Sequence, residues 1–410
     1  MIEIRRSHKI WAFTFGLFNF LSFSSFAQII PIELIAMVAM IFVPFLASAK
    51  NFRFDMEQRN VFRFGFLWLI GQTISNFINK SDSLEAFKNI AQILVLLCLL
   101  YWGFYWSKKN SKILLYFLWG YLISSIPQFL ILPGLYGKSE PWKFIFGPAI
   151  TLMVLVVIPR FTTSKTSTIL LMCPFILVDF LLGARSLGLI TLFSVFTVLK
   201  VSLKQKGLAF SFFFLVIITC SAGPLYLIYA NVASSGSLGE AQQEKFIRQT
   251  TTGPLLLVGR SELIYEISAI GKAGLLGLGS SPMVNNDYLQ GVALEEFKFG
   301  VNHKYTSSYE QYVRNGKIPS HSMLFGAWME AGLFGALFWL YLTWLVVKYF
   351  YSATGREPSI GLANRYLSVN FLWAVLFSPL GAGSRMLVAI TFTLIMQIAI
   401  SEVRLNESKI

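Results

Sequence analysis

Residues 318–341 read IPSHSMLFGAWMEAGLFGALFWLY. A proline, two serines and a histidine open a run that is otherwise fit for lipid, with Glu330 as its one acid. About 17–25 apolar residues span a bilayer as a helix, and runs of that kind recur along the whole chain. We place spans near 11–30, 31–47, 63–79, 89–106, 113–133, 144–159, 168–184, 186–200, 208–230, 323–347, 366–381 and 386–401. With 55% apolar residues, 13% charged residues and 39 phenylalanines, the chain reads as an all-α polytopic membrane protein of about 12 transmembrane helices.

The first 23 residues, MIEIRRSHKIWAFTFGLFNFLSF, resemble a secretory signal but lack a small-residue cleavage site, and are read as a retained first helix. Cys98, Cys173 and Cys220 all fall inside expected spans. They offer neither a disulfide framework nor a zinc site, and read as small core side chains.

A net charge of +14 invites a nucleic-acid reading, but its distribution argues against one. With the N-terminus in the cytoplasm, 20 of the 34 Lys and Arg residues fall on that side, from Arg5, Arg6 and Lys9 through Lys108, Lys109 and Lys112 to Lys348, Arg356, Arg365, Arg404 and Lys409. The short outer connections hold only Lys80, Lys88, Lys138, Lys143, Arg185 and Arg385. This bias follows the positive-inside rule and puts both termini in the cytoplasm. The surplus is a topology signal, and no nucleic-acid partner is expected.

One segment breaks the rhythm of short connections. The division along the chain is a transmembrane bundle over 1–230, a large outer loop over 231–322, and C-terminal transmembrane helices with a cytoplasmic tail over 323–410. A structureless loop of that length would be unusual unless functional. Within GRSELIYEISAIGKAG, Leu263, Ile267 and Ile270 recur at helical spacing, and Gly271 or Gly274 can end the helix. GLLGLGSSP reads as a turn-rich link, and LEEFKFGVNHKYTSSYEQYVRN as one more short helical piece. The loop is expected to pack as a lid on the outer face of the bundle.

Charges at membrane depth are costly and mark functional sites by default. Asp179 and Arg185 lie near the outer end of the seventh span, and Arg385 at the outer junction of the last two. His321 opens the tenth span, with Glu330 about 13 Å deeper along a helix. Arg260 belongs to the loop. Singly, each has a plain structural reading: the arginines snorkel, Arg260 pairs with Glu262 or Glu266, His321 caps a helix, and Glu330 makes a buried hydrogen bond.

The sequence carries no acidic pair of the Asp-x-Asp type in a cytoplasmic loop, no phosphate-binding glycine loop, no His-Glu-x-x-His and no Gly-x-Ser-x-Gly. Three histidines cannot supply a His-rich metal cage. What remains is chemistry built on arginine and one histidine, without metal or cofactor. The arginine fork keeps its charge and donates two parallel hydrogen bonds to a diphosphate. Histidine can take a proton from an attacking hydroxyl.

Three segments together resemble a known family. SHSMLFGAWMEAGLFGALFW, GARSLGLITLF and GRSELIYEISAIGKAGLLGLGSSP are similar, in order and spacing, to the histidine, arginine and loop motifs of the O-antigen ligase and O-antigen polymerase superfamily. The likeness covers roughly residues 170 to 400. It implies an integral-membrane glycosyltransferase of GT-C-like architecture in the bacterial inner membrane, metal-independent and inverting. The donor it implies is a glycan on undecaprenyl diphosphate at the periplasmic face.

On that resemblance Arg185 and Arg260 hold the diphosphate leaving group and His321 activates the acceptor hydroxyl. Arg385 is a second diphosphate or acceptor contact, Glu262 and Tyr265 line the acceptor path, and Glu330 joins the substrate-binding set. The acceptor is a second lipid-linked glycan for a polymerase, in O-antigen or exopolysaccharide biosynthesis and with a chain-length regulator as partner. For a ligase of lipopolysaccharide biosynthesis it is lipid A–core. Many ligases carry asparagine after the histidine, so Ser322 favours the polymerase. A lipid-linked oligosaccharide flippase is the competing class; it would place its charges nearer the midplane.

Overall fold

The computed structural model describes residues 6–18, 31–41, 54–107, 113–132, 137–138, 140–162, 164–200, 227, 229–237, 239–251, 262–298, 300, 316–318, 320–350 and 358–407. The expected span 208–230 falls almost wholly outside them, as do Arg260, Cys220 and His303.

The described part is all-α. Its helices are α1 (Arg6–Leu17), α2 (Pro31–Ile41), α3 (Met56–Ile78), α4 (Ser83–Ser107) and α5 (Ile113–Ile131). A π-helical turn, Trp142–Phe146, leads into α6 (Gly147–Phe161), followed by α7 (Lys165–Leu181) and α8 (Arg185–Lys200). The loop region supplies α9 (Glu240–Thr251), α10 (Glu262–Ala273) and α11 (Asn286–Lys298). The chain closes with α12 (Met323–Ala331), α13 (Leu333–Tyr349), α14 (Pro358–Phe377) and α15 (Ala382–Glu407). Among the described residues the only β-type pairing is an isolated antiparallel bridge between Met283 and Lys317.

Three of these helical stretches, Met56–Ile78, Ser83–Ser107 and Trp142–Pro159, are long and apolar enough to cross a bilayer, and shorter apolar helices accompany them. Large apolar side chains face outward on them, including Phe66, Ile70 and Phe77 of α3 and Leu130 of α5. An outward face of that kind suits lipid and would be a liability in water. The described residues therefore have the character of a helical membrane protein.

Helices meet where small residues let backbones approach. A Cβ on Gly16 of α1 would stand 2.2 Å from the Phe117 carbonyl of α5, and one on Gly120 would stand 2.1 Å from the Phe13 carbonyl. Aromatic rings fill the wider seams, as where Trp68 of α3 meets Phe338 and Trp339 of α13.

Two expectations are corrected. The span 323–347 is two helices, because Gly332 adopts φ +65° and ends α12 after nine residues. Arg365, counted among cytoplasmic connections, lies inside α14 and is buried.

The two ends of α3 carry different chemistry. At its start, Glu57 binds Lys348 and Tyr349 from the end of α13. At its other end, Ser75, Asn76 and Asn79 bind the link 277–280. On the topology expected from the positive-inside count, the second end faces outward. In a chain whose native cysteines are serine, Thr250→Cys is expected to react with an impermeant maleimide from outside, and Asn110→Cys only after permeabilisation. The reverse pattern would invert the topology.

Candidate functional site

The polar doorstep of the opening stretch folds as a capped helix start. Ser322 has extended backbone and its Oγ accepts from the Phe325 N–H at 3.1 Å, a standard N-cap arrangement. The same Oγ donates to the Val375 carbonyl of α14 at 3.0 Å. Above it lies Glu266 of α10, fully buried, whose Oε1 accepts the backbone N–H of His321 at 2.5 Å and of Ser322 at 2.9 Å. A carboxylate at a helix N-terminus also complements the helix dipole. The backbone of His321 is thus clamped by the loop helix, and its imidazole is half-buried.

The end of α12 is held in the same manner. Breaking the helix at Gly332 frees carbonyls that need partners. The link takes them: Leu278 N–H donates to Met329 O at 2.8 Å and Gly279 N–H to Glu330 O at 3.1 Å. Leu333 N–H donates to Leu275 O at 2.9 Å. Only glycine permits this approach. A Cβ at Gly277, where φ is +82°, would fall 2.4 Å from Glu330 O, and one at Gly332 would fall 2.1 Å from Leu275 O.

A polar stripe on α3 completes the seat. Gln72, Ser75, Asn76 and Asn79 share one helix face by their spacing. Gln72 Nε2 donates to Ser280 Oγ, Ser75 Oγ to Glu330 O, and Asn79 Nδ2 to Gly277 O. Asn76 Oδ1 accepts from both Ser280 N and Ser280 Oγ at 2.8 Å. The Glu330 side chain joins this set, with Oε2 accepting from Asn89 Nδ2 of α4 at 2.9 Å and Oε1 from the Ser281 N–H at 3.2 Å.

Between these elements is a cavity of about 330 Å³. Gln72, Asn89, Gln92, Glu330, Ser320 and Ser322 give it polar walls, and Trp68, Ile93, Met323 and Leu380 give it apolar ones. Ser320 and Ser322 flank His321 in sequence. His321 itself is not in the wall; the cavity, with polar and apolar sides, adjoins the backbone segment that Glu266 fixes.

The other expected site residues are placed as follows. Arg185 opens α8, with its guanidinium 4.8 Å from the centroid of the Tyr229 ring. Asp179 is buried and accepts from Trp142 Nε1 at 2.9 Å. Arg385, expected at the substrate, is fully buried and forks onto Glu33 of α2, with Nε 3.3 Å from Oε1 and Nη2 2.8 Å from Oε2. Tyr265, expected along the acceptor path, is packed into a small core with Ala269, Tyr288, Val292, Ile318 and Met329. The phenol of Tyr288 donates to the Tyr265 carbonyl at 3.1 Å. Burial, with Tyr265, Glu266 and Glu296 nearby, pushes that phenol above its ordinary value and keeps it a donor. Arg260 and the Glu262 side chain lie outside the described residues.

Sequence reasoning missed Glu266, Asn89, Glu33 and the α3 stripe. The stripe carried a signal, four amides and hydroxyls at i, i+3, i+4 and i+7 in an apolar helix. Glu266→Ala is expected to release the His321 backbone and cost about 10²-fold in turnover, the scale of an ångström's misplacement. Glu266→Gln keeps an acceptor oxygen and should stay within about tenfold of the parent, since tenfold is only about 1.4 kcal/mol. Equal activity of Glu266→Ala and the parent, at matched expression, would contradict the clamp.

Comparison with protein-family models, with curated proteins and with solved structures gave no match to this chain.

Proposed function

We propose that the chain is a metal-independent, inverting glycosyltransferase that moves a glycan from undecaprenyl diphosphate onto an acceptor hydroxyl at the periplasmic face of a bacterial inner membrane. Polymerisation of lipid-linked repeats is the preferred reaction, and transfer to lipid A–core is its alternative. Twelve spans with both termini inside is the topology that goes with it. The observation that carries the reading is the carboxylate-clamped His321 segment beside a cavity with both polar and apolar walls.

In the proposed step the His321 imidazole takes the acceptor proton. The freed oxygen attacks the anomeric carbon from the face opposite the leaving group. The bond from that carbon to the diphosphate oxygen breaks, its electron pair leaving as undecaprenyl diphosphate, whose growing charge Arg185 and Arg260 neutralise. Arg385 is assigned a structural role, because Glu33 occupies its fork.

A transporter is the second reading, favoured by the broken helix at Gly332 and the half-buried Glu330, since transporters bind substrate at discontinuous helices. Against it, the backbone groups at this break are bonded to the link, so they are already occupied rather than presented to an ion.

The test uses the purified full chain in nanodiscs with an undecaprenyl-diphosphate repeat unit. Longer glycans and free undecaprenyl diphosphate should form, at the same rate in EDTA. Loss of turnover on chelation, restored by magnesium, would contradict the metal-free mechanism. Movement of the repeat unit across liposomes without a new glycosidic bond would favour the transporter.

A further inference from the structure

A second cavity, about 430 Å³, lies on the other side of the Ser280–Ser281 segment. Four parts of the chain build it: the turn between α3 and α4, Lys272 at the end of α10, the link with the start of α11, and residues 317–318 just before the histidine motif. Its volume lies in the lower range of ligand clefts.

Its electrostatics are uneven. Both acidic side chains in its wall are engaged: Asp82 Oδ1 accepts the N–H groups of Leu84 and Glu85, and Glu85 binds Lys88, Lys317 and Ser281 Oγ. Lys80 and Lys272 also line it, and no carboxylate among the described residues pairs with either. Three lysines, Lys80, Lys272 and Lys317, thus face two carboxylates, Asp82 and Glu85, and the wall is net positive by one charge. Pro282, Met283 and Ile318 add an apolar patch.

Backbone strain converges on the same place. Among the described residues, Lys80 and Ser281 are the non-glycine residues with positive φ, each at +50°, and both line this cavity. Such conformations cost about 1–3 kcal/mol; at Lys80 the left-handed turn also closes the end of α3, where the Ser81 N–H returns to Asn76 O at 3.0 Å. A glycine at Lys80 would remove that cost, yet the position carries an ammonium.

We propose that this cavity is a glycan subsite for an acidic sugar residue, with Lys80 and Lys272 receiving its carboxylate and the apolar patch its C–H face. The proposal rests on the glycosyltransferase reading and names a substrate class for it. A pyranose offers both surfaces at once, hydroxyls at its rim and C–H groups on its faces. The bonds that seat Glu330 and Ser280 form the wall between the two cavities, so this subsite neighbours the His321 segment across that wall.

The experiment titrates the full-length protein in nanodiscs with methyl glucuronide, methyl glucoside and inorganic phosphate, read by saturation-transfer NMR. The glucuronide should bind saturably and at least about tenfold tighter than the glucoside, a 1.4 kcal/mol preference. Lys80→Gly, unstrained at its φ, combined with exposed Lys272→Gln, should abolish that preference. His321→Ala should leave it intact. Absence of saturable glucuronide binding, binding unchanged in the lysine variants, or equal displacement by phosphate would overturn the subsite. Because binding is read without turnover, a protein that binds glucuronide yet transfers no glycan sinks the enzyme reading and leaves the subsite standing.

Discussion

Glu33→Ala is expected to lose most of the folded, monodisperse protein. Glu33 and Arg385 are both fully buried and share two hydrogen bonds across 352 residues of sequence. Removing one partner strips the other of its paired opposite charge in a low-dielectric interior, a loss of about 3–5 kcal/mol where such pairs have been broken. That approaches the whole stability of a typical domain. Replacing both together, as Glu33→Ala with Arg385→Met, removes the stranded charge and should recover much of the loss. Fluorescence-detected size exclusion after graded heating measures each member of this cycle. A stable but inactive Arg385→Ala would contradict the structural assignment and return Arg385 to the substrate.

The fold was legible where the signal is length of apolar run. The expected spans 113–133 and 186–200 fall on α5 and α8 within a few residues. The loop helix was legible too, since α10 runs Glu262–Ala273 and Gly274 follows at φ +57°. Its buried face was not. The stripe Leu263, Ile267 and Ile270 suggested one face, whereas Ile264, Tyr265, Glu266 and Ala269 are buried and Ile267 is exposed. A helix turned by apolar spacing alone would leave Glu266 in solvent. Docking on the start of α12 turns it inward, because two N–H groups there need an acceptor.

The break at Gly332 was hidden for a related reason. Glycine is common in membrane helices, and nothing local distinguishes this one. Its meaning comes from Gly277, which lies 55 residues earlier and meets it backbone to backbone. The Glu33–Arg385 pair is a wholly tertiary fact.

His321→Ala is the second large effect. If the imidazole activates the acceptor, its removal should cost about 10²–10⁴ in turnover, as for general acid–base groups elsewhere. Donor binding should survive, because the diphosphate is assigned to the arginines. Folding should survive as well, since the clamp from Glu266 and the Ser322 cap use backbone groups that alanine retains. His303→Ala, in the same loop region but outside the motif, should be nearly silent. A protein that loses donor binding with His321→Ala would make the histidine a diphosphate ligand.

The most direct test is single-turnover transfer from a defined undecaprenyl-diphosphate glycan, with donor binding measured in parallel. Parent protein should form a glycosidic bond of inverted configuration and release undecaprenyl diphosphate, while His321→Ala binds the same donor and forms almost none. Normal transfer by His321→Ala, or no transfer by a parent protein that binds the donor, would contradict the account.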